Sequence, residues 1–168
     1  HHPTAGSAVD HDGPAGVWDL RAAGGTAEGA AVITLNQYVG VHRASPDWTP
    51  IREQNATKLL ACCAALEVEM ARGGVSFPDN PKTKNGISGN TFGGFRPQSC
   101  PQGAPNSSHK EGQGVDRYDP RGEIDVWCMA HQDRLAVHGI YIEHPSATPG
   151  WSHWTTRAPR SGNRVFYS

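Results

Sequence analysis

The sequence predicts an α+β domain, in which a long helix packs on one face of a small mixed or antiparallel sheet. Apolar residues recur near a 3.6-residue period between residues 50 and 72, as in a helix with one buried face. Short apolar segments bounded by glycine and proline follow in the C-terminal third, and these are typical of short strands. The chain has 20 glycines and 13 prolines, which predicts many loops between the elements.

The 168 residues suffice for one domain with a core. Residues 1–30 are rich in glycine and alanine and predict a flexible N-terminal arm or linker, and residues 31–168 predict the folded domain. The histidines of the arm fit a tag remnant or flexible segment better than a metal site; they are His1, His2 and His11. A net charge of −1 gives no indication of nucleic-acid binding. No apolar run approaches the ~20 residues of a membrane span, no signal peptide is visible, and we expect a monomer.

The long helix is predicted over residues 50–72. Thr49 is a suitable N-cap, Pro50 suits the first helical position, and Gly73 and Gly74 end the helix. The expected core-facing residues are Ile51, Leu59, Leu60, Cys63, Leu66 and Met70. Residues 31–36 are expected to form a short strand or an extended lead-in, and residues 75–77 to start another strand.

The remaining elements follow from shorter patterns. We expect a loop over residues 78–94 leading into a strand TFGGFRP, a second helix over residues 123–138, and short strands over 140–142, 151–156 and 165–167. The second helix is expected to turn Ile124, Trp127, Cys128, Met129 and Leu135 inward. Its two histidines, His131 and His138, are two turns apart, about 10.5 Å of rise. That is too far for one ion, so we interpret them as exposed or capping residues.

The four cysteines do not form a Cys-x-x-Cys pair, so a zinc ribbon is not expected. They are Cys62, Cys63, Cys100 and Cys128. A bridge from Cys100 to Cys63 or Cys128 is one alternative, and free buried thiols are the other.

The segment SSHKEGQGVD contains the best candidate for a metal site. His109 and Asp116 are seven residues apart, with Gly112 and Gly114 between them. Histidine nitrogen and carboxylate oxygen both bind zinc at about 2.0–2.2 Å. His153, in GWSHWTTR, is the strongest third ligand. A His/Asp/His set suits zinc best, without excluding other divalent ions, and leaves one tetrahedral position open as a catalytic site requires.

These residues resemble the signature of the zinc D-Ala-D-Ala carboxypeptidase and L-alanyl-D-glutamate endopeptidase family, in its phage and actinobacterial branch. The matching positions are Ser107, His109, Gly112, Gly114 and Asp116, with Gly114 where the family usually has alanine. GGFRP and NSSH resemble two further elements of the family upstream, and WSHWTTR resembles a strand carrying the last zinc histidine. The resemblance covers roughly residues 34–168.

The resemblance implies a Hedgehog/DD-peptidase-like fold with the zinc site on the sheet, so that 31–168 is a zinc peptidase domain. It implies that Arg96 lies near the zinc, where it would hold a substrate carbonyl or carboxylate or stabilise an oxyanion. Ser107 is expected to fix the loop or make a hydrogen bond to a ligand. The expected substrate is the peptide stem of peptidoglycan. The protein is expected to act outside the cell, in the periplasm or as part of a phage. The expected basic rim consists of Arg157, Arg160 and Arg164.

The general base departs from the family pattern. Much of the family has Glu or Asp three residues before the last histidine, where this chain has Gly150, and one branch has a histidine five residues before, where this chain has Thr148. We expect His144 to serve, with Glu143 second, and Asp119 and Glu111 as further candidates.

Two functions remain open at this point. One is a zinc peptidase that cleaves peptidoglycan stems, either a D-Ala-D-Ala carboxypeptidase or an L-Ala-D-Glu endopeptidase such as a phage lysin. The other is a non-catalytic zinc-binding phage structural or cell-wall-binding module. They differ in whether a carboxylate or imidazole reaches the open coordination position.

Overall fold

A four-stranded mixed sheet lies at the centre of the computed structural model, which describes residues 32–168. The strands are β1 Gly114–Tyr118, β2 Tyr141–Glu143, β3 Trp151–Thr155 and β4 Val165–Phe166. Their spatial order is β1-β3-β2-β4. β3 pairs antiparallel with both β1 and β2, and β2 pairs parallel with β4. The α+β class is confirmed. The predicted arm and its histidines lie outside the described residues.

Four α-helices accompany the sheet in this part of the chain. They are α1 Leu35–Val39, α2 Pro50–Arg72, α3 Glu123–Ala130 and α4 Gln132–His138. Three short 3-10 helices cover Gly40–His42, Ser108–Glu111 and Pro145–Ala147. None of the described helices has the length and apolar character needed to cross a membrane.

Helix α2 has the predicted bounds. Pro50 occupies its first turn and Gly73 follows its last residue, although the Thr49 side chain makes no capping hydrogen bond. Its buried apolar residues are Ala56, Leu59, Leu60, Cys63, Leu66 and Met70. Each fully buried leucine contributes about 1.5–3 kcal/mol, so this face anchors the helix to the core. The expectation for Ile51 was wrong, because this first-turn side chain is 60% exposed.

Two predicted strands do not form, and a third segment, predicted as a strand or an extended lead-in, forms no strand either. Residues 32–34 are extended but unpaired, and α1 starts at Leu35 behind a capping box between Thr34 and Gln37. Residues 75–77 follow the two-glycine turn at the end of α2 and belong to no strand. Residues 91–97 are irregular. The glycines Gly93 and Gly94 let this last segment approach other backbone so closely that an added Cβ would lie 2.2 Å from a carbonyl oxygen.

The predicted helix over residues 123–138 is two helices. His131 breaks it, with φ −131° and ψ 45°. Its Nδ1 donates to the Trp127 carbonyl at 2.7 Å, and its ring stacks on the Trp127 indole at 4.0 Å. His138 contacts Glu69 of α2 at 2.9 Å. The two histidines therefore make separate structural contacts. Of the residues expected to face inward, Ile124, Cys128 and Leu135 are buried.

The core contains a buried ion pair besides its apolar side chains. Arg117 Nε of β1 lies 3.3 Å from Glu67 Oε1 of α2, and both side chains are almost inaccessible. The guanidinium also lies 4.7 Å from the centre of the Phe77 ring. All four cysteines are free thiols, so the disulfide alternative is not realised.

Candidate metal centre

Two neighbouring strands bring Asp116 and His153 together. Asp116 of β1 pairs directly with His153 of β3 in the antiparallel register. Residues paired this way project from the same face of a sheet. Side chains alternate along a strand, so Trp151 and Thr155 share the face of His153. The local strand patterns therefore place two of the three predicted ligands next to each other.

The third ligand, His109, comes from the 3-10 turn that precedes β1. The Ser107 side chain accepts a hydrogen bond from the backbone N–H of His109 at 3.3 Å. Gly112 ends the turn with φ +72° and packs so tightly that an added Cβ would lie 2.5 Å from the Arg52 carbonyl oxygen. Glycine adopts this conformation without strain. Ser107 thus holds the turn that carries the ligand.

The three side chains form a cluster that could hold a metal ion. One ligand atom from each of His109, Asp116 and His153 lies within 4.8 Å of the others. His109 Nε2 is 3.2 Å from Asp116 Oδ1, and His153 Nδ1 is 2.9 Å from the same oxygen. Two ligands about 2.0–2.2 Å from one zinc ion at a tetrahedral angle lie roughly 3.4 Å apart, so the spacing is close to that of a coordinated set.

Hydrogen bonds on the far side of the rings orient them. His109 Nδ1 lies 2.8 Å from the Gly94 carbonyl oxygen, which can only accept. Nδ1 therefore carries a proton, and in the neutral ring Nε2 presents its lone pair to the Asp116 carboxylate. Two acceptors then face each other at 3.2 Å, an arrangement that a cation between them would stabilise. Backbone support of this kind is typical of metal-binding histidines.

The second histidine has a comparable partner. Ser108 Oγ lies 3.4 Å from His153 Nε2, which leaves His153 Nδ1 directed at Asp116. Both imidazoles thus have one nitrogen held by the protein and the other at the cluster. The residues present fit a three-ligand metal site.

The electrostatics of the cluster favour an ionised carboxylate and a neutral imidazole. Burial opposes ionisation of Asp116, but His109 and His153 outweigh it and hold the pKa of its carboxyl well below the ordinary range. Burial lowers the pKa of His109, although Asp116 acts in the opposite direction. Metal ligands need these protonation states.

Arg96 lies beside the cluster, as the family resemblance implies. Its Nη2 donates to Asp116 Oδ2 at 3.1 Å, and its Nε donates to the Phe92 carbonyl at 2.7 Å. Nη1 is 3.4 Å from the Gln102 carbonyl oxygen. Arg96 therefore binds the second carboxylate oxygen of a predicted ligand.

An open cavity of about 500 Å³ lies over the cluster. Glu143 lines this cavity, and its carboxylate accepts a hydrogen bond from the Ser168 hydroxyl. His144 is not among the lining residues. Its ring stacks on Tyr167 at 4.5 Å, and its Nδ1 accepts from the Ser146 N–H. The structure thus brings Glu143, and not His144, to the cavity.

The other positions considered for the base are occupied otherwise. The Thr148 hydroxyl donates to Asp125 at 3.2 Å, and Gly150 has a positive φ of 90°. Asp119 accepts the backbone N–H groups of the first turn of α3. Glu111 pairs with Arg52 at 3.5 Å. A structural contact therefore occupies each side chain present at these positions, and Gly150 has no side chain.

Only part of the predicted basic rim lies at the cavity. Arg157 lines it, with Nη2 donating to the Asn106 carbonyl at 2.7 Å. Arg164 instead lies over the Tyr141 ring at 3.9 Å. Arg160 is exposed and outside the cavity lining.

Two supporting residues were missed in the sequence analysis, Gly94 and Ser108, and the steric role of Gly114 was not predicted. A Cβ added to Gly114 would lie 2.3 Å from Ser108 Oγ and 3.1 Å from His153 Cε1. The hydroxyl of Ser108 occupies the space that an alanine methyl would need, which explains why this chain has glycine there. The GGFRP motif was a signal for Gly94, but its carbonyl contact depends on the folded backbone.

Comparisons with known proteins return nothing for this chain: no family model, curated protein or solved structure matches it.

Proposed function

We propose that this chain is a zinc-dependent peptidase that hydrolyses the peptide stems of bacterial peptidoglycan. The observation that carries the proposal is the convergence of His109, Asp116 and His153 beneath an open cavity. Two nitrogens and one carboxylate oxygen are a set that suits catalytic zinc. The family resemblance of the same three positions supplies the substrate class and the expected location at the cell wall.

The protein groups around the site have separable roles in this proposal. A bound zinc ion polarises a carbonyl and lowers the pKa of water to about 7. Arg96 holds Asp116 in place by a hydrogen bond. Its guanidinium has five N–H donors, of which three are used within the protein. The remaining donors can bind a substrate carbonyl or a developing oxyanion. Glu143 is the cavity carboxylate that is not a predicted ligand, and it is the group that can accept and return a proton.

Digestion of purified peptidoglycan, followed by mass spectrometry of the released fragments, tests the proposal. We expect release of stem fragments that stops with a chelator and returns with zinc. The absence of any release by the folded, zinc-loaded protein on several types of cell wall would contradict a peptidase function.

A matched pair of substitutions tests the assignment of the base. Glu143→Gln keeps the shape of the side chain and its contact with Ser168, and we expect it to lower kcat roughly 10²- to 10⁴-fold with zinc content unchanged. His144→Ala removes the neighbouring imidazole, which lies outside the cavity lining, and we expect kcat to stay near that of the wild type. The reverse result would assign the base to His144.

A second candidate function is a non-catalytic zinc module that binds the cell wall. It is favoured by the loss of both usual base positions, since Gly150 has no side chain and the Thr148 hydroxyl is bonded to Asp125. This candidate predicts that the zinc-loaded protein sediments with cell walls and releases no fragments.

A further inference from the structure

Tyr38 of α1 is a buried residue that contacts two supports of the metal cluster, although it is distant in sequence from every predicted ligand. It is 2% exposed. Its hydroxyl donates to the Gly114 carbonyl at 2.8 Å, and its own backbone carbonyl accepts the N–H of Phe95 at 3.0 Å. One residue therefore joins the strand that carries Asp116 to the segment that supports His109.

The backbone carbonyl of Tyr38 fixes the segment behind His109. Gly94 precedes Phe95, and a Cβ added to Gly94 would lie 2.2 Å from the Tyr38 carbonyl oxygen. The Gly94 carbonyl in turn accepts a hydrogen bond from His109 Nδ1 at 2.8 Å, and the Arg96 N–H donates to the His109 carbonyl at 3.2 Å. This short segment is therefore held by α1 on one side and by the turn that carries the ligand on the other.

The hydroxyl of Tyr38 binds the edge of β1 that faces away from β3. Thr156 N–H donates to the Gln113 carbonyl at 3.1 Å, and hydrogen-bonded pairs alternate with non-hydrogen-bonded pairs along an antiparallel ladder. Gly114 and Asp116 therefore direct their backbone groups away from β3. At Gly114, the Tyr38 hydroxyl supplies the hydrogen bond that a neighbouring strand would otherwise make.

This hydrogen bond acts on both strand ligands. Burial raises the pKa of the Tyr38 phenol well above its ordinary range, so the hydroxyl keeps its proton and remains a donor. Gly114 is buried, two residues before Asp116, and a Cβ added to it would lie 3.1 Å from His153 Cε1. A buried carbonyl that loses its donor is destabilised, so a shift of Gly114 in search of another donor would disturb Asp116 and His153 together.

We propose that Tyr38 is a positioning residue of the metal centre, which sets the distance between the turn that carries His109 and the strand that carries Asp116. This inference rests on the proposed function, because it requires a metal ion at the cluster. A residue that only fills the core would lower stability when it is replaced and would leave the metal affinity of the folded protein unchanged. The two roles therefore differ in their effect on metal binding.

Tyr38→Phe removes the hydroxyl and keeps the ring and the backbone carbonyl. Zinc affinity is measured on the folded protein by competition with a chromophoric chelator. It should fall about 10-fold, the lower end of the range for loss of a ligand's hydrogen-bond partner, because the hydroxyl acts through Gly114. The visible spectrum of the cobalt(II)-loaded variant should also differ from that of the wild type, since the spectrum depends on the geometry of the ligands.

Thr148→Val is the matched control. It also removes a hydroxyl that is buried and hydrogen-bonded, in this case to Asp125 at 3.2 Å, and Thr148 does not belong to the cluster. We expect a lower Tm in this variant, with the zinc affinity and the cobalt spectrum of the wild type. His1, His2 and His11 are alanine in every sample, so that the N-terminal histidines do not contribute.

The rise in Tm on saturation with zinc is a second measurement, which applies also to a variant of low stability. It should be smaller in Tyr38→Phe than in the wild type, because a ligand stabilises the folded state according to its affinity. Equal zinc affinity, equal rise in Tm and identical cobalt spectra in Tyr38→Phe and the wild type would overturn the inference and leave the proposed function standing.

The proposed function fails on a different result. Zinc binding that weakens in Tyr38→Phe and not in Thr148→Val, in a protein that hydrolyses no peptidoglycan, would support the inference and overturn the peptidase. The absence of zinc binding by the folded wild type would overturn both.

Discussion

Asp116 and Arg117 are neighbours on β1, and they face opposite environments. Asp116 lies against two imidazoles at an open cavity. Arg117 lies on the core side against Glu67 of α2, with 1% of its side chain exposed. Strand alternation alone sends the two charges to opposite faces. One strand therefore carries a candidate site on one face and a structural ion pair on the other.

The comparison shows what distinguishes a candidate site from a buried ion pair. Around Arg117, one cation faces one carboxylate in a sealed space. Around Asp116, one carboxylate oxygen is shared by two nitrogens, one of which presents a lone pair because its ring proton is held by Gly94. Two acceptors that face each other beside a cavity could hold a metal ion between them, whereas a closed pair could not.

The largest effect is expected on the core face. Burial raises the pKa of Glu67 to about 7 against the opposing charge of Arg117, so the test belongs at pH 8, where the carboxylate is ionised. Glu67→Gln removes the charge opposite a buried guanidinium and should lower the free energy of unfolding by about 3–5 kcal/mol. Urea denaturation measures this, and zinc stoichiometry should not change.

A double substitution sharpens that prediction. Glu67→Leu combined with Arg117→Met replaces the pair by apolar groups of similar volume and should recover most of the lost stability. A double variant as unstable as Glu67→Gln, or loss of zinc binding in the folded variant, would show that the two faces of β1 are not separable.

An intermediate effect is expected where Gly114 packs against Ser108. Gly114→Ala places a methyl 2.3 Å from Ser108 Oγ and should cost about 1–3 kcal/mol of stability as well as zinc affinity, because His153 Cε1 is also close. Ser108→Ala removes the obstructing hydroxyl, so the double variant should recover stability relative to Gly114→Ala. A double-mutant cycle in thermal denaturation checks this, and additive effects would contradict the steric account.

The smallest effect is a dependence of stability on pH through Asp125. Burial raises the pKa of this carboxyl to about 6, with the Ser152 hydroxyl acting against the shift. The folded protein then holds the proton more tightly than the unfolded chain, whose aspartate pKa is about 3.9. Stabilisation from this group is complete below about pH 4 and is lost as the pH rises through about 6, with a slope of at most about 1.4 kcal/mol per pH unit.

Asp125→Asn should reduce the slope between about pH 4 and 6, and the raised pKa of Glu67 leaves a remaining slope of the same sign. Denaturation midpoints at intervals of half a pH unit measure it. An unchanged slope in Asp125→Asn would assign the pH dependence to another group.

Sequence patterns predicted the elements whose signals are local. The bounds of α2 follow from Pro50 and Gly73, and β3 from the alternation around His153, so this ligand was placed correctly on its strand. The ligand set could be named because its residue types suit zinc and its positions resemble the signature of a zinc peptidase family.

The failures concern backbone and side-chain contacts that sequence patterns do not specify. The strand expected over residues 91–97 is absent because Gly93 and Gly94 dock their backbone directly on other segments, and the break at His131 depends on its ring meeting Trp127. The choice between Glu143 and His144 could not be made from adjacent positions, because the cavity is lined by residues from several segments that are distant in sequence.

Zinc titration of the metal-free protein tests the central claim most directly. His1, His2 and His11 are replaced by alanine in every sample, so that the N-terminal histidines cannot contribute. We expect one zinc per chain in the wild-type background. His109→Ala should lower the zinc affinity by more than the roughly 10- to 100-fold that is lost when a hydrogen-bond partner of a ligand is removed. His144→Ala should leave the zinc affinity unchanged. Equal zinc binding by His109→Ala and the wild-type background, or no binding by the folded protein, would contradict the assignment of the metal centre.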